Sequence, residues 1–189
     1  MPLMRHPISR NPWAVLFLIL ATPWAAAAGE GVELTYLGNE GFLIAAGETR
    51  VLVDALFGDG LSGYPVVPPV PRRQAEEAAG SFAGVDLVLA SHHHGDHFDP
   101  RAVGRHLIHN QGARFVSTQQ ALERLRRGFD GYDRVAGRVA GFWPGEGERA
   151  AFSHAGIRLT VLNLHHGRGR NPPVQNLGLL IDVFVPWRL

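Results

Sequence analysis

The sequence predicts an α/β fold, with a mixed β-sheet flanked by helices in one domain. Three observations carry that expectation. Short apolar strand patterns alternate with helical ones from Glu33 onward. One of them, 85–90 (VDLVLA), is apolar almost throughout and reads as a buried strand. Straight after it comes His92-His93-His94-Gly95-Asp96-His97, a run of ligand-type side chains too costly to be filler.

The chain has 189 residues, enough for one domain with a real core, and its 46% hydrophobic content fits a globular protein. The net charge is +1 and all basic residues are arginines, with no basic stripe. Arg124, Arg126 and Arg127 gather at one helix end, where cations suit the dipole. Nucleic-acid binding is therefore excluded as the expected function, and a small-molecule substrate is favoured.

Residues 1–28 read as a signal peptide. Arg5, His6 and Arg10 make a basic start, 13–21 (WAVLFLILA) form an apolar core, and the alanines at 25–28 offer an A-x-A cleavage site. That core is too short to span a bilayer comfortably, an uncleaved membrane anchor being the rival reading. The mature chain, 29–189, is thus expected in the periplasm or secreted, with no stable membrane association after cleavage. Cysteine is absent, which leaves neither a disulfide framework nor a thiolate ligand.

In the mature chain, 33–37, 42–46 and 50–55 read as strands, separated by turns at Gly38-Asn39 and Gly47-Glu48. The proline-rich 64–71 cannot donate a regular ladder and reads as an extended loop near the mouth of the site. A short helix, 72–79, leads to the buried strand. Asp99 is placed to cap a helix that opens with Pro100 and runs to about Asn110, with Val103, Leu107 and Ile108 as its apolar stripe. His106 and His109 on that helix read as surface or packing residues. A strand at 114–117, a helix at 118–127 capped by Ser117 or Thr118, and a strand at 138–142 follow. Phe152, Ile157, Leu159 and Val161 then alternate inward on two strands ending at His165 and His166. His154 has no ligand context.

The histidine run contains the spacing His-x-His-x-Asp-His, formed by His92, His94, Asp96 and His97. In a loop leaving a strand, residues two apart can point the same way, so His92 and His94 can pinch one ion. Asp96 and His97 lie one turn further on and can face a second. Two ions about 3.5–4 Å apart can hold a bridging hydroxide and polarise the bond it attacks. Imidazole and carboxylate suit zinc, and Gly95 relieves crowding where the backbone bends. At the later pair, the strand alternation carries on to His165, whereas Gly167 would ease His166 into a loop position; of the two, the alternation favours His165.

This motif resembles the signature of the metallo-β-lactamase superfamily, over about residues 33 to 183. The segment 34–44 (LTYLGNEGFLI) is similar to the opening hairpin of its lactonase-like and phospholipase-D-like branches. The resemblance implies an αββα sandwich. It places Asp54, after Val51-Leu52-Val53, as the structural brace of the metal loop, and His165 or His166 as the third histidine of the first metal. It makes Asp96 the catalytic group that takes a proton from the attacking water. The expected function is an exported hydrolase that uses a zinc-activated water on an ester, lactone or phosphodiester. The hairpin argues against a β-lactamase proper, and the export signal against RNA processing.

The family continues past the Asn176-Leu177-Gly178 strand to a further strand carrying a bridging carboxylate, and then to a last histidine. This sequence runs only to Leu189, and Asp182 falls too early to serve. What the resemblance implies is therefore mostly the N-terminal half of the sandwich, incomplete at the C-terminus. One zinc ion is expected where the intact family has two, with impaired hydrolysis and self-association through an exposed sheet edge. The alternative is a non-catalytic metal-binding remnant or partner module.

Overall fold

The computed structural model describes residues 31–58, 62–167 and 173–183; the expected signal peptide and the tail 184–189 lie outside them. Nine strands form two sheets among the described residues. In the first, β1 (Val32–Gly38), β2 (Gly41–Ala46), β3 (Thr49–Val53), β4 (Leu87–Leu89), β5 (Arg114–Thr118) and β6 (Val139–Phe142) lie side by side in chain order. The pairs β1–β2 and β2–β3 are antiparallel, while β3–β4, β4–β5 and β5–β6 are parallel. In the second, β7 (Arg149–His154), β8 (Ile157–Leu164) and β9 (Asn176–Val183) make an antiparallel meander.

Strand alternation divides the six-stranded sheet between two cores. Leu52, Val88 and Phe115 point to the side where α1 (Pro69–Glu76), α2 (Pro100–His109) and α3 (Gln119–Gly128) contribute Ala75, Val103, Leu107 and Leu125. Their neighbours Val51, Leu87, Leu89 and Val116 point to the other side and meet Ile157, Leu159, Val161 and Leu177 of the second sheet. All three residues of β4 are buried, which is why its sequence does not alternate. Helices, sheet and second sheet thus supply three layers of the αββα arrangement.

The helices begin where the sequence caps them. Asp99 Oδ1 accepts from Ala102 N at 2.8 Å ahead of Pro100, and Thr118 Oγ1 accepts from Ala121 N at 3.0 Å. Of the boundaries that differ from expectation, two have a clear local cause. Helix α1 starts at Pro69, not at Arg72, because the prolines at 69 and 71 occupy a first turn whose N–H groups lack intrahelical partners. Strand β3 ends at Val53, because Asp54 takes a left-handed conformation (φ 45°) that turns the chain out of the ladder. Among the described residues no helix is long and apolar enough to cross a membrane.

Candidate metal centre

The centre lies beyond the carboxyl ends of parallel strands β3 and β4, the usual place for a ligand in an α/β sheet. After β4 the chain must turn back to start α2, and 91–99 do so in a tight loop. Phe98 N and His97 N both donate to His94 O, at 2.9 and 3.1 Å. The loop is tied to its surroundings by Asp99 N to Leu56 O (2.8 Å), Leu177 N to Ser91 O (2.9 Å) and Asn39 Nδ2 to Asp96 O (2.8 Å).

This turn, with His166 from beyond the end of β8, brings four imidazoles and one carboxylate together. His92, His94 and His166 present ligand atoms within 4.8 Å of one another, and so do His92, Asp96 and His97. The His92 ring centre is 4.7 Å from that of His94, 4.4 Å from His166 and 4.1 Å from His97. His97 Nε2 lies 3.6 Å from Asp96 Oδ2. Of the last histidine pair, the structure draws in His166 and leaves His165 out, which corrects the reading from strand alternation. The reason is local: β8 ends at Leu164, so its alternation stops before reaching the pair. The His165 side chain stands 91% exposed, 3.8 Å from an equally exposed Glu146 carboxylate.

Asp54 stands behind the loop. Its two oxygens accept from Ser91 N and Ser91 Oγ, each at 2.7 Å, and His97 Nδ1 lies 2.9 Å from Oδ2. Ser91 Oγ is also 3.0 Å from His92 Nδ1, so one hydroxyl and one carboxylate orient two of the rings. Ser91, Asn39 and Arg124 escaped the sequence reading. Arg124 Nη1 donates to His93 O at 2.6 Å from α3. For Ser91 a signal existed, since a hydroxyl next to His92 can reach the ring nitrogen facing away from an ion. The contacts of Asn39 and Arg124 span 57 and 31 positions, and no local pattern marks them.

Burial is the main force holding His92 down to a pKa of about 3, and the neighbouring His97, His166, His94 and His93 add to it. Its ring is therefore neutral at pH 7. Burial also opposes charge on His97, but the hydrogen bond and charge of Asp54, with Asp96 and Glu40, outweigh it and raise the pKa. Neutral imidazoles with converging nitrogens are what a borderline cation requires. His92 Nε2 and His94 Nδ1 lie 3.1 Å apart. Two nitrogens ligating one tetrahedral zinc would be about 3.3 Å apart. The donor set fits a metal ion.

Comparisons with known proteins agree with this architecture. Residues 49–185 match the family model described as the beta-lactamase superfamily domain. Among solved structures, the chain is similar to a candidate metal-dependent hydrolase from Veillonella parvula (17% identity, TM-score 0.53). That match covers 82% of this chain and 59% of the other. A counterpart from Parabacteroides distasonis matches at 15% identity and TM-score 0.50, over 80% and 56%. CmlA, a diiron β-hydroxylase from Streptomyces venezuelae, matches at 22% and 0.50, over 82% and 28%. The chain thus spans little more than half the length of the two hydrolase structures. A family match over most of the sequence, the αββ layering and the histidine loop at the strand ends lead to one conclusion: the chain belongs to the metallo-β-lactamase superfamily.

Proposed function

We propose that this protein is an exported, zinc-dependent hydrolase acting on an ester, lactone or phosphodiester. The observation that supports it most is the convergence of His92, His94 and His166, with Asp96 and His97 alongside, at the strand ends. His92, His94 and His166 would hold the ion, leaving a fourth position open for water. Zinc held there would supply a water nucleophile at neutral pH and Lewis-acid polarisation of the substrate.

The chain's own residues do the rest. Asp54 and Ser91 orient His92 and His97. Asp96, beside the same rings, takes the proton released by the attacking water. The two ligand groups share His92, so among the described residues they compete for one imidazole. That favours a single tightly held ion. Export rests on residues 1–28, and a mature N-terminus at Gly29 would support it.

The test is zinc per chain in the purified protein and its variants. About one equivalent is expected, lost in His94→Ala and His166→Ala and kept in His165→Ala. Asp96→Ala should keep the metal while losing hydrolysis of 4-nitrophenyl esters and phosphodiesters. Full zinc in His166→Ala would overturn the ligand assignment. A chain with neither metal nor turnover would be a remnant of an enzyme.

A further inference from the structure

A cavity of about 630 Å³ lies beside the metal loop, apart from the histidine cluster itself. Gln120, Glu123, Arg124 and Arg127 of α3 form one wall, Val174 stands in another, and His93 lines its loop side. The His93 ring meets that of His94 edge-on at 5.0 Å, so the residue lining the cavity is in contact with a candidate metal ligand.

Its walls are cross-linked. Gln120 N donates to Gln175 Oε1 at 3.0 Å, Gln175 N donates to Gln120 Oε1 at 2.9 Å, and Gln120 Nε2 donates to Pro173 O at 3.0 Å. These bonds hold α3 against the stretch that leads into β9. Small-molecule sites are usually preformed in this way.

The charge in the cavity is two guanidinium groups against one carboxylate. Arg124 commits one N–H to His93 O, and a guanidinium carries five in a rigid fork. Arg127, three residues on, shares that helix face. Its Nη2 lies 3.4 Å from Glu123 Oε2, but the two side chains are 68% and 55% exposed. Such a pair is well screened and worth little, so an entering oxyanion competes with it easily. Two oxygens of a carboxylate or of a phosphate match the guanidinium fork bidentately.

We propose that this cavity binds an anionic oxygen group of the substrate, a carboxylate or a phosphate, through Arg124 and Arg127. The hydrolase then selects substrates that carry an ionised group as well as the scissile bond over neutral ones. This assignment of substrate class rests on the hydrolase reading above.

Calorimetric titration of the purified full chain with inorganic phosphate and with succinate tests the binding, and the tighter anion names the group. Arg127→Gln should weaken it at least about tenfold, Arg127→Lys should restore part of the loss, and Arg158→Gln, exposed on β8, should leave it unchanged. Equal affinity in Arg127→Gln overturns the site. The second arm compares kcat/KM for mono(4-nitrophenyl) succinate with that for neutral 4-nitrophenyl acetate. This ratio should fall at least about tenfold in Arg127→Gln. An unchanged ratio overturns the substrate assignment. Anion binding through Arg127 without cleavage of either ester or of 4-nitrophenyl phosphodiesters overturns the hydrolase reading and supports the anion site alone.

Discussion

Removing the Asp54 carboxylate tests how the metal loop is held. Asp54 is 5% exposed and accepts from Ser91 N, Ser91 Oγ and His97 Nδ1 at 2.7, 2.7 and 2.9 Å. Asp54→Ala leaves those three donors facing a space that water enters poorly. A hydrogen bond to an ionised group contributes about 1.5–3 kcal/mol net, and two bonds sharing Ser91 are less than additive. The left-handed backbone at Asp54 adds about 1 kcal/mol against Ala. The metal-free protein should therefore lose about 4–5 kcal/mol, much of the stability of a small domain. Asp54→Asn shares the tolerance for that backbone and keeps one acceptor, so about 2–3 kcal/mol is expected. Urea unfolding after chelation, followed by tryptophan fluorescence, gives both values; Trp143 packs in the second core. Zinc titration of the folded variants should show an affinity about 10–100-fold weaker. If Asp54→Ala unfolds within about 1 kcal/mol of the parent and binds zinc as tightly, the bracing argument is wrong.

Two further outcomes follow from the helical side of the sheet. A Cβ added at Gly104 in α2 would meet the Phe129 ring at 2.3–2.5 Å, so Gly104→Ala should cost about 1–3 kcal/mol despite its better helix propensity. A thermal melt at or above the parent's would refute that. His106 is fully buried on α2, 2.6 Å from Ala75 O through Nδ1, and burial is the main cause that lowers its pKa from the ordinary 6.5. The unfolded chain therefore binds the proton first as pH falls. The stabilisation is complete above about pH 6.5 and is lost as pH drops toward the folded value. Unfolding free energies at pH 7.5 and 5.5 should differ less in His106→Gln than in the parent. An equal difference in both would remove His106 from the acid sensitivity.

The class of the fold and the local half of the centre were legible in the sequence. Hydrophobic periodicity needs only neighbours, so the strands leading to the loop and the stripe of α2 could be read directly, as could the cap at Asp99, while the cap of α3 was narrowed to Ser117 or Thr118. The spacing of His92, His94, Asp96 and His97 was legible for the same reason, since one short loop carries all four. Their partners depended on the tertiary structure. His166 rather than His165 joins the cluster because β8 ends at Leu164, opposite Asn176 of β9, and the first residue of the next stretch points away to solvent. Ser91 meets Asp54 across 37 positions and Arg124 reaches His93 O across 31. Such contacts depend on strand register and on which ends of the sheets coincide. Those are set by the packing of two cores against one sheet, and no window of sequence contains them.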